Sequence, residues 1–332
     1  MSQPAPRVLA ADIGGTKTLL LLAEPVNDGF RCIREKRYEN RAFGDLNELL
    51  QVFLDDSGFP TLAGACFAVA GEVSGNQARL TNLSWDIQGD ALTRSLGVPV
   101  SLINDFEAVG YGIASLAPAD LEILQAGEPE VNGVRAVLGA GTGLGTGFLS
   151  WQDDAYRVFP SEGSHADFAP ANEQQVGLLR FLWKKYAHVS WERVVSGPGL
   201  VNIFEYLLQE GVDGRSPDLM RAMQQDDPPA AIAAAALAKS DALAVEALDI
   251  FVAVYGAEAG NLALKLLPRG GLYLAGGITP KILPRLKDGG FMQAFRDKGR
   301  FSGMLEKMPV YAILNPRVGL LGALTVGLSL IK

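Results

Sequence analysis

The sequence predicts an α/β protein with mixed sheets whose faces are covered by helices. Short apolar strands alternate with segments of helical spacing, which is typical of sheets flanked by helices. Two glycine-rich turns also lie between β-prone runs, within residues 7–24 and 135–151. A chain of 332 residues, 48% of them hydrophobic, is long enough for two packed cores.

The two glycine-rich turns share one pattern. In the first, RVLAADI leads into Gly-Gly-Thr and then TLLLLAE; in the second, RAVLGA leads into Gly-Thr-Gly and a second apolar run. Each predicts a strand, a tight bend and a strand, with no obvious helix after it. Glycine lets backbone N–H groups approach phosphate oxygens. Both the dinucleotide fingerprint and the Walker pattern are absent, so we predict that phosphates bind at hairpins and not at a helix N-terminus.

The elements after the first hairpin continue the alternation. Helical spacing covers residues 43–54, residues 64–71 and 99–103 form apolar strands, and a helix begins at Phe106. Ligands of such sheets gather at the carboxyl ends of strands. Asp12 and Asp105 both stand at predicted strand ends, which places two carboxylates on one rim.

The second half contains a long apolar helix that we expect to be central and buried. It runs from Ser240, a plausible N-cap, to Leu267 before Pro268. Further elements are a helix over 174–185, a strand in 271–280 that runs into a glycine pair, and a closing helix over 318–331. The closing helix is shorter than the roughly 20 residues that a membrane span needs.

Composition excludes several classes of protein. A net charge of −8 and a pI near 5.0 disfavour nucleic acid as a partner. Cys32 and Cys66 lie far from any metal-like spacing, so neither a disulfide framework nor a zinc site is indicated. The N-terminus lacks the pattern of a signal peptide. We therefore expect a cytoplasmic protein without a membrane anchor.

Six motifs in order along the chain carry a family resemblance. The sequence resembles the actin, heat-shock chaperone and sugar-kinase superfamily and, within it, the bacterial glucokinase family. The motifs are Asp12-Ile13-Gly14-Gly15-Thr16, Leu102-Ile103-Asn104-Asp105-Phe106, Gly139 to Gly145 (GAGTGLG), Glu162 to Phe168 (EGSHADF), Glu192 to Leu200 (ERVVSGPGL) and Ala275-Gly276-Gly277-Ile278.

This resemblance implies a two-lobed, actin-like ATPase (ribonuclease H-like) fold with a central cleft for ATP and glucose, and it suggests a homodimer. The small α/β domain would comprise residues 1–115 and 311–332, and the large α+β domain residues 116–310. The implied ATP-binding residues are Ala11, Asp12, Ile13, Gly14, Gly15, Thr16, Gly141, Thr142, Gly143, Gly276 and Gly277.

The two rim carboxylates suit phosphoryl transfer, which depends on positioning and electrostatic stabilisation. Asp12 is predicted to hold Mg²⁺ through water, because Mg²⁺ keeps several waters and takes few carboxylates. Its alternative role is to cap the turn. Asp105 is the candidate general base for a sugar hydroxyl. Its alternative role is the N-cap of the helix from Phe106.

The sugar would be bound by side chains that accept or donate hydrogen bonds in pairs. The positions that match family sugar-binding residues are Asn104, Asp105, Glu162, His165 and Glu192. His188 follows a predicted helix without such neighbours, and Asp167 is left without a role. Serines at 161 and 164 and Trp191 depart from the family pattern, which puts sugar selectivity in doubt.

The expected activity is transfer of the γ-phosphate of ATP to the 6-hydroxyl of glucose. A kinase for another hexose or an amino sugar stays open, as does a sugar-responsive regulator of the same fold. The regulator would need an added helix-turn-helix, and only six residues precede the first predicted strand. An actin-like or chaperone-like ATPase would leave the sugar-type residues unexplained.

Overall fold

The computed structural model describes residues 6–27, 29–80, 83, 85–211, 216–225 and 227–331. The described chain forms two compact units. The first unit extends to Pro118 and resumes at Asn315, and the second is Ala119–Leu314.

The strands and helices are numbered in chain order. The strands are β1 Arg7–Ile13, β2 Lys17–Val26, β3 Gly29–Glu39, β4 Leu62–Val69, β5 Gly71–Ser74, β6 Gln77–Leu80, β7 Asp86–Gln88, β8 Val100–Asn104, β9 Leu121–Gln125, β10 Arg135–Ala140, β11 Leu144–Gln152, β12 Ala155–Ser161, β13 Gly271–Ala275 and β14 Val310–Ile313. The helices are α1 Leu46–Asp56, α2 Gly89–Leu96, α3 Asp105–Gly112, α4 Glu173–Trp183, α5 Gly197–Gln209, α6 Pro217–Gln225, α7 Pro228–Leu237, α8 Ala242–Leu266, α9 Leu283–Lys287, α10 Gly290–Arg296, α11 Ser302–Leu305 and α12 Val318–Ser329.

The main sheet of the first unit has the order β3-β2-β1-β4-β8. β1, β2 and β3 are antiparallel, whereas β4 and β8 run parallel to β1. β4 is apolar throughout because helices cover both faces of the sheet. Val8 and Ala10 pack with Leu320 of α12, and the alternate residues Leu9 and Ala11 belong to the core that contains α1. A small sheet of β5, β6 and β7 completes the unit.

The main sheet of the second unit repeats this arrangement. Its order is β12-β11-β10-β13-β14-β9, with β10, β11 and β12 antiparallel and β13 and β14 parallel to β10. Strand β9 adds an antiparallel edge. The first five strands therefore have the same order and directions as those of the first unit. The two glycine turns occupy equivalent places in the two sheets.

Helix α8 is the core of the second unit, as its apolar circumference predicts. Phe251 and Tyr255 are fully buried within it. The prediction that Ser240 is its N-cap is wrong. Asp241 caps the helix, since its Oδ1 accepts a hydrogen bond of 2.8 Å from Ala244 N. Asp241 also accepts from Ser216 N, a partner that lies far away in sequence.

The domain boundary near the C-terminus differs from the predicted one, which placed residues 311–332 in the small domain. Strand β14 pairs with β13 and β9, so residues 310–313 belong to the second unit and not with the closing helix. Helix α12 packs on β1, β4 and α3 of the first unit. Among the described residues, no helix combines the length and apolar character that crossing a membrane requires.

Candidate active site

The first glycine turn connects β1 and β2 without an intervening helix, as the sequence predicts. Gly14 N donates to Lys17 O at 2.9 Å, which closes the turn. Ala11 and Ile13 are fully buried in β1, where they pair with β2 on one side and β4 on the other, so neither residue is open to a ligand in this structure. Thr16 is exposed at the tip.

A buried asparagine braces this turn from outside the motif. Asn40 Nδ2 donates to Gly14 O at 2.8 Å, and its Oδ1 accepts from Thr18 Oγ1 at 2.8 Å. The backbone N–H of Asn40 also donates to Thr16 O. Sequence reasoning missed Asn40, because nothing in its local pattern shows that it folds back onto the hairpin.

Asp12 and Asp105 lie at the same edge of the first main sheet, as predicted. The parallel register pairs Asp12 with Ala68 and Val69 with Asn104, which brings the ends of β1 and β8 together. Burial raises the pKa of Asp12 to about 6, and the negative charge of Asp105 adds to the effect. Burial also raises the pKa of Asp105, opposed by a hydrogen bond from Phe106 N.

The N-cap of α3 is Asn104, so the alternative role that we considered for Asp105 is wrong. Asn104 Oδ1 accepts from Phe106 N at 2.8 Å and from Glu107 N at 3.3 Å. Its Nδ2 donates to Gly71 O at 3.0 Å. The cap fixes the first turn of α3, and Asp105 is the first residue of that helix.

The second glycine turn is held by neighbouring backbone and by one carboxylate. Gly141 N donates to Gly143 O, and Gly197 N donates to Gly141 O, both at 2.8 Å. Glu192 Oε2 accepts from Leu144 N at 3.0 Å. A Cβ on Gly143 would lie 2.5 Å from that oxygen, so a larger residue there would displace the carboxylate. Thr142 is exposed at the tip.

The glycine pair after β13 lies beside the second turn. Gly276 has φ +83°, and a Cβ there would overlap Ala140 O. Ile278 N donates to the same oxygen at 3.1 Å. Around Gly277 the space is open, since a Cβ would meet nothing within 4 Å. The structure therefore brings Gly141, Thr142, Gly143, Gly276 and Gly277 to one end of the second main sheet.

The loop Glu162–Phe168, which we call the EGSH loop, contains two residues that are predicted to bind the sugar. Glu162 Oε2 and His165 Nε2 are 3.7 Å apart, and both side chains are largely exposed. The loop runs beside residues 188–191, which brings it next to the segment that holds Glu192. His188 contacts this loop, contrary to the sequence expectation that it stands alone.

Two of the three departures from the family pattern face the protein interior. Ser164 and Trp191 are 2% and 3% exposed, and Trp191 packs edge-on against Phe168 at 5.3 Å between ring centroids. Ser161 remains exposed, and its Oγ accepts from Gly163 N. Ser164 and Trp191 therefore support the loop from the interior and do not present their side chains to solvent.

Among the described residues, no group of three or more His, Cys, Asp or Glu side chains is arranged to hold a metal ion. Asp12, which lies beside the charge of Asp105, is the carboxylate that the sequence predicts to hold Mg²⁺ through water. Within the same part of the chain, neither carboxylate forms a salt bridge with a basic side chain. A cation would offset both the burial and the repulsion by Asp105 that raise the pKa of Asp12.

Two units with the same sheet order, each with a glycine turn at the first hairpin, define the actin-like fold of the sugar-kinase superfamily. A family model described as Glucokinase matches residues 9–329. The glucokinase of Nostoc punctiforme is 49% identical over 331 residues, which cover 95% of this chain and 97% of the relative. The chain belongs to the glucokinase family.

Solved structures agree with this assignment. The glucokinase of an Antarctic psychrotroph has a TM-score of 0.85 and 29% identity, and the match covers 97% of this chain and 99% of that one. The glucokinase of Balamuthia mandrillaris, solved in complex with glucose, has a TM-score of 0.75 and 26% identity. That match covers 97% of this chain and 93% of the other.

Proposed function

We propose that the protein transfers the γ-phosphate of ATP to the 6-hydroxyl of glucose, giving glucose 6-phosphate and ADP. Membership of the glucokinase family supports the reaction class. The structural observation that carries the proposal is the pair of carboxylates, Asp12 and Asp105, at the ends of β1 and β8. A buried carboxylate without a basic partner is suited to accept a proton or to face a cation.

Asp105 is the general base in this proposal. It accepts the proton of the sugar 6-hydroxyl as the oxygen attacks phosphorus, and ADP leaves with the electrons of the broken P–O bond. Burial raises its pKa, which makes it a stronger proton acceptor than an exposed aspartate. The Asn104 cap fixes the start of α3, and thereby the position of this carboxylate.

Asp12 would hold Mg²⁺ through water. Bound Mg²⁺ would neutralise charge on the phosphate oxygens. The backbone amides of the turn Gly14–Thr16, which Asn40 braces, are assigned to the ATP phosphates, and those of Gly141–Gly143 to the same anion. Gly276 and Gly277 are assigned to the adenosine, where the open space at Gly277 admits a flat ring.

The sugar contacts are assigned to Asn104, Asp105, Glu162, His165 and Glu192. Carboxylates and amides recognise adjacent hydroxyls in pairs, and a site built this way rejects analogues that lack one hydroxyl. Glu192 has a second role, because it also accepts from Leu144 N in the second glycine turn. We further propose a homodimer, on the basis of the family resemblance alone, which sedimentation of the purified protein tests.

The first experiment is a coupled assay with Mg-ATP against glucose, mannose, fructose, glucosamine and N-acetylmannosamine. We expect turnover on glucose and a loss of about 10²- to 10⁴-fold in kcat for Asp105→Ala, the usual worth of a general base. Asp105→Asn is the matched variant, because it keeps the size of the side chain.

Either of two results would contradict part of the proposal. Preference for another sugar would keep the phosphotransfer and overturn the substrate. Unchanged kcat in both Asp105 variants would overturn the base assignment. Circular dichroism of the variants separates lost chemistry from lost folding.

A further inference from the structure

The second half of the EGSH loop is fastened to residues 189–191 by backbone hydrogen bonds. Trp191 N donates to Ala166 O at 3.1 Å, and Phe168 N donates to Val189 O at 2.9 Å. These two bonds fix the second half of the loop. His165, whose side chain is predicted to bind the sugar, lies one residue before this backbone pairing begins.

The side chain of His188 continues the pairing to His165. His188 Nε2 is 2.8 Å from His165 O. A carbonyl oxygen only accepts, so the ring nitrogen is the donor. His188 therefore binds the backbone of the residue whose imidazole is assigned to the sugar.

A carboxylate of the same loop orients the His188 ring. Asp167 Oδ1 is 3.3 Å from His188 Nδ1. With a proton on each ring nitrogen, the imidazolium donates to the backbone of His165 and to the side chain of Asp167, and so bridges them. A second partner on the far nitrogen fixes the orientation of a histidine ring, as carboxylates do for the histidines of metal sites.

Neither side chain is needed by the hydrophobic core. The His188 side chain is 56% exposed and that of Asp167 is 93% exposed. A role in stability is therefore small, whereas the position of the contacts bears directly on His165 and Glu162.

We propose that His188 and Asp167 are positioning residues that order the EGSH loop for glucose. The inference rests on the proposed function, because it takes His165 and Glu162 as sugar ligands. Without the bridge, the loop populates more conformations before the sugar arrives. Binding then includes the cost of selecting one of them, and glucose affinity falls while the chemical step is kept.

Steady-state kinetics of His188→Ala test this directly. We expect the KM for glucose to rise about two- to tenfold, the usual worth of one hydrogen bond. The KM for Mg-ATP should stay the same, and kcat should change less than the KM for glucose.

Two further variants separate the contacts. His188→Gln places an amide N–H near the reach of Nε2 and should restore most of the glucose KM. His188→Asn reaches only the position of Nδ1 and should behave like His188→Ala. Asp167→Asn, which weakens the orienting contact alone, should give an intermediate KM. Lys184→Ala, an exposed nearby position, is the control and should match the unmodified protein.

Hydrogen exchange of the ligand-free protein provides a readout that does not depend on the substrate. Peptides covering residues 162–168 should exchange faster in His188→Ala and return toward normal in His188→Gln. Unchanged exchange, or an unchanged glucose KM in His188→Ala, would overturn the inference. Failure of the unmodified protein to phosphorylate glucose would instead overturn the proposed function, and exchange would still decide whether His188 orders the loop.

Discussion

At the scale of single residues, Asp12 combines a catalytic assignment with an unfavourable environment. It is enclosed at the end of β1, and its charge repels that of Asp105. The first turn of α12 approaches it so closely that a Cβ on Gly319 would lie 3.2 Å from Asp12 Oδ2. The helix N-terminus is a favourable neighbour for a carboxylate, yet the pKa of Asp12 remains raised.

Replacing this charge should stabilise the protein and reduce its activity. Because the folded-state pKa of Asp12 lies at about 6, above its ordinary value of 3.8, ionisation destabilises the folded state at neutral pH. A pKa shift of about two units corresponds to roughly 3 kcal/mol in the free energy of unfolding. We expect Asp12→Asn to unfold at higher denaturant concentration at pH 7.5 and to lose most of its turnover.

The stability gained by Asp12→Asn should decrease as the pH falls. Asp12 takes up its proton between pH 6 and its ordinary pKa of 3.8, so the advantage of the asparagine variant should shrink across this range and vanish below it. Urea titrations of both proteins from pH 4 to 8 measure it. A constant difference across the range, or a less stable variant at pH 7.5, would contradict the electrostatic explanation.

At the scale of elements, the end of β13 must lie close to the end of β10. Gly276 makes this possible, because its left-handed backbone and missing side chain let Ala140 O approach. Gly277, the next residue, has no such neighbour. Two adjacent glycines of one motif therefore have different reasons to lack a side chain.

Alanine at these two glycines should separate folding from nucleotide binding. Gly276→Ala should destabilise the protein by about 2–4 kcal/mol, because the backbone conformation is strained for alanine and the Cβ overlaps Ala140 O. Gly277→Ala should leave stability unchanged and raise the KM for ATP. Thermal unfolding and ATP kinetics of both variants measure this. Equal stability of the two would show that β13 shifts freely, and an unchanged ATP KM in Gly277→Ala would remove the adenosine assignment.

At the scale of the whole molecule, the sequence predicted the elements best where a pattern was local. The glycine turns between β-prone runs, the buried helix α8 and the strand ends at Asp12 and Asn104 were all readable from short segments. The shared strand order of the two main sheets agrees with the repeated turn that the sequence displays.

Contacts between residues that lie far apart in sequence could not be predicted from the sequence. Asn40 reaches the first turn through tertiary folding, and His188 meets the EGSH loop from a separate segment. The N-cap of α8 lies one residue after the predicted Ser240, and Asp241 adds to this local cap a bond to the distant Ser216 N. The roles assigned to the predicted ATP and sugar residues stay predictions until variants are assayed.

The first unit is completed by α12, which lies far from the rest of it in sequence. Cys66 on β4 is packed in one cluster with Leu320 and Leu324 of that helix. Burial raises the pKa of the Cys66 thiol, whereas Cys32 is exposed. In the full chain we expect a thiol reagent to label Cys32 and to spare Cys66.

Ending the chain before Val318 should expose the face of β4 that α12 covers and make both thiols reactive. Mass spectrometry after brief labelling distinguishes the two cysteines. Cys32→Ser in the full chain is the control, and it should show almost no labelling. A truncated chain that still protects Cys66 would mean that the sheet closes without α12.

The position of α12 in the chain determines when the sheet of the first unit can be covered during synthesis. Residues of β1, β2 and β4 are made before the second unit, but the helix that covers one face of their sheet is made after it. The second unit, Ala119–Leu314, is complete before that helix emerges. One apolar face of that sheet therefore stays uncovered by its helix until after the second unit has been made, and such a face is prone to aggregation while it is exposed.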